Sequence, residues 1–185
     1  MKRLLISCLL VLFASSAFAA SGDTLVIFTP FANEPPSSSP ATLDVRFQRP
    51  VIDFDADADE CAVFTAIMPQ SYAGTTGVTV FLDWSATTGV ADDIRLDVYF
   101  EEVTRDSLDT DADDFAAANS VTDIAPGTSG HVTQANVTFT DGVDMDSVGA
   151  GDLFRIKVCR DADNGASLDD MTGDAEIHAI EIQET

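Results

Sequence analysis

The sequence predicts an all-β fold: an antiparallel β-sandwich of jelly-roll type with about eight strands. Apolar and polar residues alternate with period two in segment after segment, and Gly, Asp, Ser and Pro bound the segments. No long stretch repeats its apolar residues with the 3.6-residue period of a helix. Short strands without helices to cover them bury their apolar faces by packing sheet on sheet.

Taken in order, the first strands are expected at 24–28 (TLVIF) and 42–47 (TLDVRF). Between them, residues 32–41 read as an irregular surface loop, because Pro35, Pro36 and Pro40 cannot donate to a central ladder. A third strand is read at 61–68 (CAVFTAIM). At 77–84 (GVTVFLDW), Val78, Val80, Leu82 and Trp84 share the core face and Thr79, Phe81 and Asp83 the other. The pattern is cleanest at 93–103, with Ile94, Leu96, Val98 and Phe100 opposing Arg95, Asp97, Tyr99 and Glu101. A short helical turn is expected over 113–119 (DDFAAAN). Ala135, Val137 and Phe139 face inward at 134–140, as do Phe154, Ile156 and Val158 at 152–159. A last strand is read at 175–182 (AEIHAIEI).

Several of these strings, PVIDFDADADECAVFTAIMPQSYAG (50–74), GVTVFLDW, APGTSG (125–130), AGDLFRIKVCRDADN (150–164) and MTGDAEI (171–177), carry a resemblance. The chain resembles a largely uncharacterised group of small jelly-roll proteins found in tailed phages and environmental bacteria. The resemblance spans most of the chain from about Phe28 onward, and its motifs are turn and core positions. It implies a jelly-roll that assembles, as a homotrimer, on a larger structure. The N-terminal leader and the cysteine pair depart from that pattern and favour an exported cellular protein over a virion part.

That leader is MKRLLISCLLVLFASSAFAA: two basic residues, an apolar run from Leu4 to Phe13, and small residues at Ala17 and Ala19. It reads as a bacterial-type signal peptide over 1–19, leaving a single β-sandwich domain at 20–185 that is secreted or periplasmic. The apolar run is too short to cross a hydrocarbon core of about 30 Å. A lipoprotein site at Leu5-Ile6-Ser7-Cys8 falls too early in the run. After cleavage Cys61 and Cys159 are the two remaining cysteines, and an oxidising compartment predicts a disulfide between them.

Acidic residues number 32 and basic residues 9, a net charge of −23. Such a surface repels nucleic acid and anionic lipid, which excludes both as partners; membrane insertion is not expected either. Apolar residues make up 45% of the chain and fall in periodic blocks, which separates it from acidic disordered sequences.

The acids recur as Asp-Ala-Asp in DFDADADE (53–60), LDTDADDF (108–115) and CRDADN (159–164). Calcium is the one cofactor these runs admit, since it takes six to eight oxygens. Neither of the first two matches an EF-hand. Counted from Asp53, the sixth and twelfth positions are Ala58 and Phe64; counted from Asp109, they are Asp114 and Ser120. Along a continuous strand Asp53, Asp55, Asp57 and Asp59 would stand ~6.6–7 Å apart, too far to share one ion. A turn after Phe54 would let Asp55, Asp57, Asp59 and Glu60 converge as a metal site. Solvated acidic turns are the plainer reading.

His131 and His178 are the only histidines, and neither lies in a nucleophile, zinc or phosphate-loop motif. The sequence therefore predicts no enzyme and no catalytic residues. Phe81 and Tyr99 stand on the polar faces of their strands, where a ring either binds a glycan or is covered by another subunit. The expected function is a structural or adhesive subunit that self-associates through the Phe81 and Tyr99 face. The alternative is a secreted, calcium-assisted carbohydrate-binding module.

Overall fold

The computed structural model describes residues 18–109, 114–162 and 168–185. Apart from Phe18 and Ala19, the leader lies outside the described residues, as do parts of the second and third acidic runs. Ten strands are present among the described residues: β1 (Thr24–Phe28), β2 (Thr42–Arg46), β3 (Arg49–Phe54), β4 (Glu60–Ile67), β5 (Val78–Ala86), β6 (Asp93–Glu102), β7 (Asn119–Ile124), β8 (Thr133–Phe139), β9 (Leu153–Arg160) and β10 (Ala175–Glu184). They form two antiparallel sheets. One runs β2-β3-β10-β5-β8, with β1 also paired to β10; the other runs β4-β9-β6-β7.

Alternation places the core as expected. Val78, Val80, Leu82 and Trp84 of β5 face Ile94, Leu96, Val98 and Phe100 of β6 across the layers, all wholly buried. Burying each such side chain contributes roughly 1.5–3 kcal/mol. Phe100 stacks on Phe154 (centroids 5.8 Å apart) and meets the edge of Phe139 from the opposite sheet at 4.8 Å. The Trp84 indole N–H donates to the Asp123 carboxylate on β7 at 2.9 Å, so the ring is buried with its polar atom satisfied.

Four sequence expectations are corrected. The strands number ten, because β3 and β7 were not separated out. The helical turn does not form over 114–118: the Asp114 N–H bonds the Glu101 carboxylate at 2.8 Å and the Ala116 N–H bonds the Phe100 carbonyl at 2.9 Å. That segment is tied to β6 instead of coiling on itself, and residue 113 lies outside the described residues. Glu101, placed on the solvent face, is wholly buried in an ion pair with Arg155. Finally, Phe81 lies on β5 and Tyr99 on β6, in different sheets, so the two rings occupy opposite surfaces of the sandwich and form no common face.

The predicted disulfide is present. Cys61 and Cys159 are directly opposed across the β4–β9 ladder, which brings their Cα atoms to 4.1 Å. That is shorter than the usual 4.4–6.8 Å and close to the ~4.5 Å spacing of a non-hydrogen-bonded antiparallel pair.

Candidate functional site

The outer face of the six-stranded sheet is assembled by strand alternation from distant parts of the chain. Thr79, Phe81, Asp83 and Ser85 of β5 lie opposite Gln183, Glu181, Ala179 and Glu176 of β10, and on the other side Phe81 lies opposite Asn136 of β8. A bulge between Ile177 and Ala179 inserts His178 into β10. It resets the phase of the strand: Ala175 and Ile177 are buried before it, Ile180 and Ile182 after it.

A polar network holds one end of this face. Ser85, wholly buried, donates to Glu176 at 3.0 Å and meets His178 Nε2 at 2.9 Å. Arg46 pairs with Glu176 and donates to Ser129 Oγ at 2.8 Å. Gly130, at φ +76°, leaves room for this guanidinium; a Cβ there would stand 2.7 Å from Arg46 Nη2. Burial, the largest effect, holds the His178 imidazole below its ordinary pKa; Arg49 and Arg46 add to this, and Glu176 and Asp83 oppose it. The group resembles a serine–histidine–carboxylate relay, but a wholly buried hydroxyl cannot reach a substrate. Its role is to fix the sheet surface. Sequence reasoning missed it because Ser85 and His178 are 93 residues apart.

Beside this network stands Asp53, whose Oδ1 is buried without a hydrogen-bond partner. Burial first, then the carboxylates of Asp174, Glu176, Asp44 and Glu60, push its pKa up to about 7.

Phe81 is a ring on this face, one strand in from the β8 edge. It is half-buried, flanked along its strand by Thr79 and Asp83 and across the ladders by Asn136 and Glu181. Asp83 is bonded by the Gln134 amide at 2.9 Å, and Glu181 accepts from the Thr24 hydroxyl. Hydroxyls, amides and carboxylates around an apolar ring combine a stacking surface with donors and acceptors of fixed geometry.

Tyr99, on the other sheet, is differently placed. The Lys157 ammonium lies 4.5 Å from its ring centroid and 4.3 Å from that of Phe115, which meets Tyr99 edge-on at 6.4 Å. The ring is thus engaged within the protein by a cation and a second ring.

The chain does turn after Phe54, and Asp55 and Glu60 there, with Asp174, accept from backbone of the turn itself. Glu60 accepts from the Asp55 N–H at 2.9 Å, Asp55 from the Asp57 N–H at 2.7 Å, and Asp174 from the Ala56 N–H at 3.1 Å. Among the described residues no group of three or more His, Cys, Asp or Glu side chains is placed to hold a metal ion. An open cleft of about 520 Å³ lies elsewhere, between Glu102, Thr104, Ser107, Leu108, Asp109, Asp114 and Asp146. Its described lining carries carboxylates, hydroxyls and a leucine, with no aromatic ring.

Fold and surface together define an all-β jelly-roll sandwich whose six-stranded sheet carries Phe81 on a largely polar outer face. No protein-family model matches the chain, and no curated protein is similar to it in sequence. The fold is similar to those of carbohydrate-binding modules among solved structures. CsCBM6-3 from Clostridium stercorarium in complex with cellobiose aligns with a TM-score of 0.52 at 7% identity, over 93% of this chain and 100% of that one. A family 35 carbohydrate-binding module from an environmental isolate aligns at 0.51 and 13% identity, over 87% and 94%. The CBM36-1 domain of a multidomain xylanase from the hindgut metagenome of Trinervitermes trinervoides aligns at 0.50 and 12% identity, over 86% and 97%. At these identities the likeness is one of fold.

Proposed function

We propose that this chain is an exported, non-catalytic carbohydrate-binding module that holds a glycan against the outer face of the six-stranded sheet. The observation that carries the reading is Phe81, a half-buried ring flanked by Thr79, Asp83, Asn136 and Glu181 on the outer face of the sheet. A pyranose presents an apolar C–H face to such a ring and hydroxyls to the surrounding amide and carboxylates. The fold neighbours, two named as carbohydrate-binding modules and one in complex with cellobiose, support this reading over the assembly subunit. The leader and the Cys61–Cys159 bridge support export.

Affinity electrophoresis and calorimetry against soluble xylans, cello-oligosaccharides and other plant polysaccharides test it. At least one glycan binds, and Phe81→Ala weakens that binding about tenfold or more, since losing one stacking contact of 1.4 kcal/mol is a factor of ten. Tyr99→Ala leaves affinity unchanged. A chain that binds no glycan in the panel, or a Phe81→Ala variant that binds like the wild type, sinks the proposal.

A further inference from the structure

We propose that two copies of this chain pair edge to edge through β2, antiparallel and centred on Val45, joining their six-stranded sheets into one. This goes beyond the glycan-binding reading and does not depend on it.

β2 is the outermost strand of its sheet; among the described residues β3 is its only strand partner. The register Arg46↔Arg49 closes the β2–β3 hairpin with two residues, Phe47 and Gln48, both at positive φ (44° and 73°). A two-residue turn makes Arg46 and Arg49 a hydrogen-bonded pair, so Thr42, Asp44 and Arg46 direct their backbone groups to β3. Leu43 and Val45 direct theirs to the open edge. The Val45 N–H shows this, because its partner is the side chain of its neighbour Asp44 at 2.7 Å and no strand.

The same edge is apolar. Leu43 is 48% exposed and Val45 61%, on one face of β2 by alternation, and Phe47 in the adjoining turn is 96% exposed. A long apolar edge with unpaired backbone is a template for another strand.

Charge selects a second copy as that strand. The chain carries a net charge of −23, yet residues 42–49 hold two arginines against one aspartate, so like-charge repulsion is weaker here than over the chain as a whole. With the two-fold axis at Val45, Leu43 falls opposite Phe47 of the second copy and Asp44 opposite Arg46 of the second copy. In this register Val45 meets Val45 of the second copy through outward-facing backbone, Leu43 lies against the turn residue Phe47, and Asp44 is opposed to Arg46, which also pairs with Glu176. Shifting the axis to Leu43 sets Asp44 against Thr42 and loses that complementarity. Isologous pairing of this kind closes at two.

Sedimentation equilibrium and light scattering on the exported chain test the inference. Wild type has the mass of two chains at micromolar concentration. Val45→Pro removes the outward N–H while leaving the β3 ladder intact, as edge prolines do; it is expected to have the mass of one chain with an unchanged circular dichroism spectrum. Should that variant fail to fold, Val45→Lys, which changes only an exposed side chain, must also reduce the mass to one chain. A monomeric wild type, a trimer or larger assembly, or a folded Val45→Lys or Val45→Pro variant that stays dimeric overturns the proposal.

Discussion

Arg160 grips both oxygens of Asp169, through Nε at 2.9 Å and Nη2 at 2.8 Å, with neither side chain reaching water. The remaining guanidinium donors go to the backbone carbonyls of Asp55, Gly173 and Met171, at 3.2, 2.8 and 2.7 Å. One side chain at the end of β9 thereby ties the turn after β3 to the segment entering β10. Removing one partner of a buried pair strands the other charge, at about 3–5 kcal/mol. Arg160→Met is therefore expected to lower the unfolding free energy by that amount in urea titrations. Arg160→Lys should recover little, because an ammonium cannot make the forked contact. A methionine variant as stable as wild type would show that the pair is inert.

The Cys61–Cys159 bridge closes a loop with a sequence separation of 98. Constraining a loop of that size in the unfolded chain stabilises the fold by roughly 2–5 kcal/mol. Replacing both cysteines with serine is expected to lower thermal stability accordingly, and dithiothreitol should do the same to wild type while leaving the variant unaffected. Equal melting temperatures with and without reductant would contradict this.

Asp53 sets a pH dependence with a definite sign. Its folded-state pKa is raised from 3.8 to about 7, so between those values the folded protein holds a proton that the unfolded chain has released. The stability it contributes is full below about pH 4 and is lost as pH rises through 7. Asp53→Asn, which stays neutral, is expected to be more stable than wild type at pH 8 by roughly 1–2 kcal/mol, a figure discounted for partial solvent access. The advantage should vanish near pH 4. Parallel stability curves for the two proteins across this range would remove Asp53 as the cause.

Crowded carboxylates repel one another on a chain with 32 acids and 9 bases. Screening shortens that repulsion to about 10 Å at 0.1 M salt. Melting temperature is expected to rise from very low to moderate sodium chloride. A steady fall over the same range would mean that attractive pairs such as Arg46–Glu176 dominate.

Much of the strand content was legible in the sequence. GVTVFLDW and DIRLDVYF write their core faces in the alternation itself, because a strand with one buried side must repeat every second residue. β7 was not legible. Its sequence, NSVTDI, is polar on both faces, as an edge strand permits, and only Val121 packs against the core. β3 was obscured by Pro50 and by the adjacent apolar pair Val51 and Ile52, both wholly buried, which breaks the alternation. Of the site, the ring at Phe81 was legible as an apolar residue on a polar face. Its neighbours Asn136 and Glu181 were not, because they come from strands 55 and 100 residues further along.

The sequence by itself determined the fold class and the core face of the strands whose alternation is regular, since both follow from local periodicity. The Cys61–Cys159 pairing was an expectation that rested on removal of the leader with its third cysteine, Cys8. Only the tertiary structure decided which strands share a sheet. Strand order is a matter of long-range pairing that no local pattern encodes, and it sent Phe81 and Tyr99 to opposite surfaces. It also brought Ser85, Glu176, His178 and Arg46 into one network and, among the described residues, left β2 at the edge of its sheet. The acidic run at 53–60 divides along the same line. Its alternation was visible in the sequence, but the turn after Phe54 made Asp53 a half-buried carboxyl of the sheet face and left Asp55 and Glu60 bonding backbone.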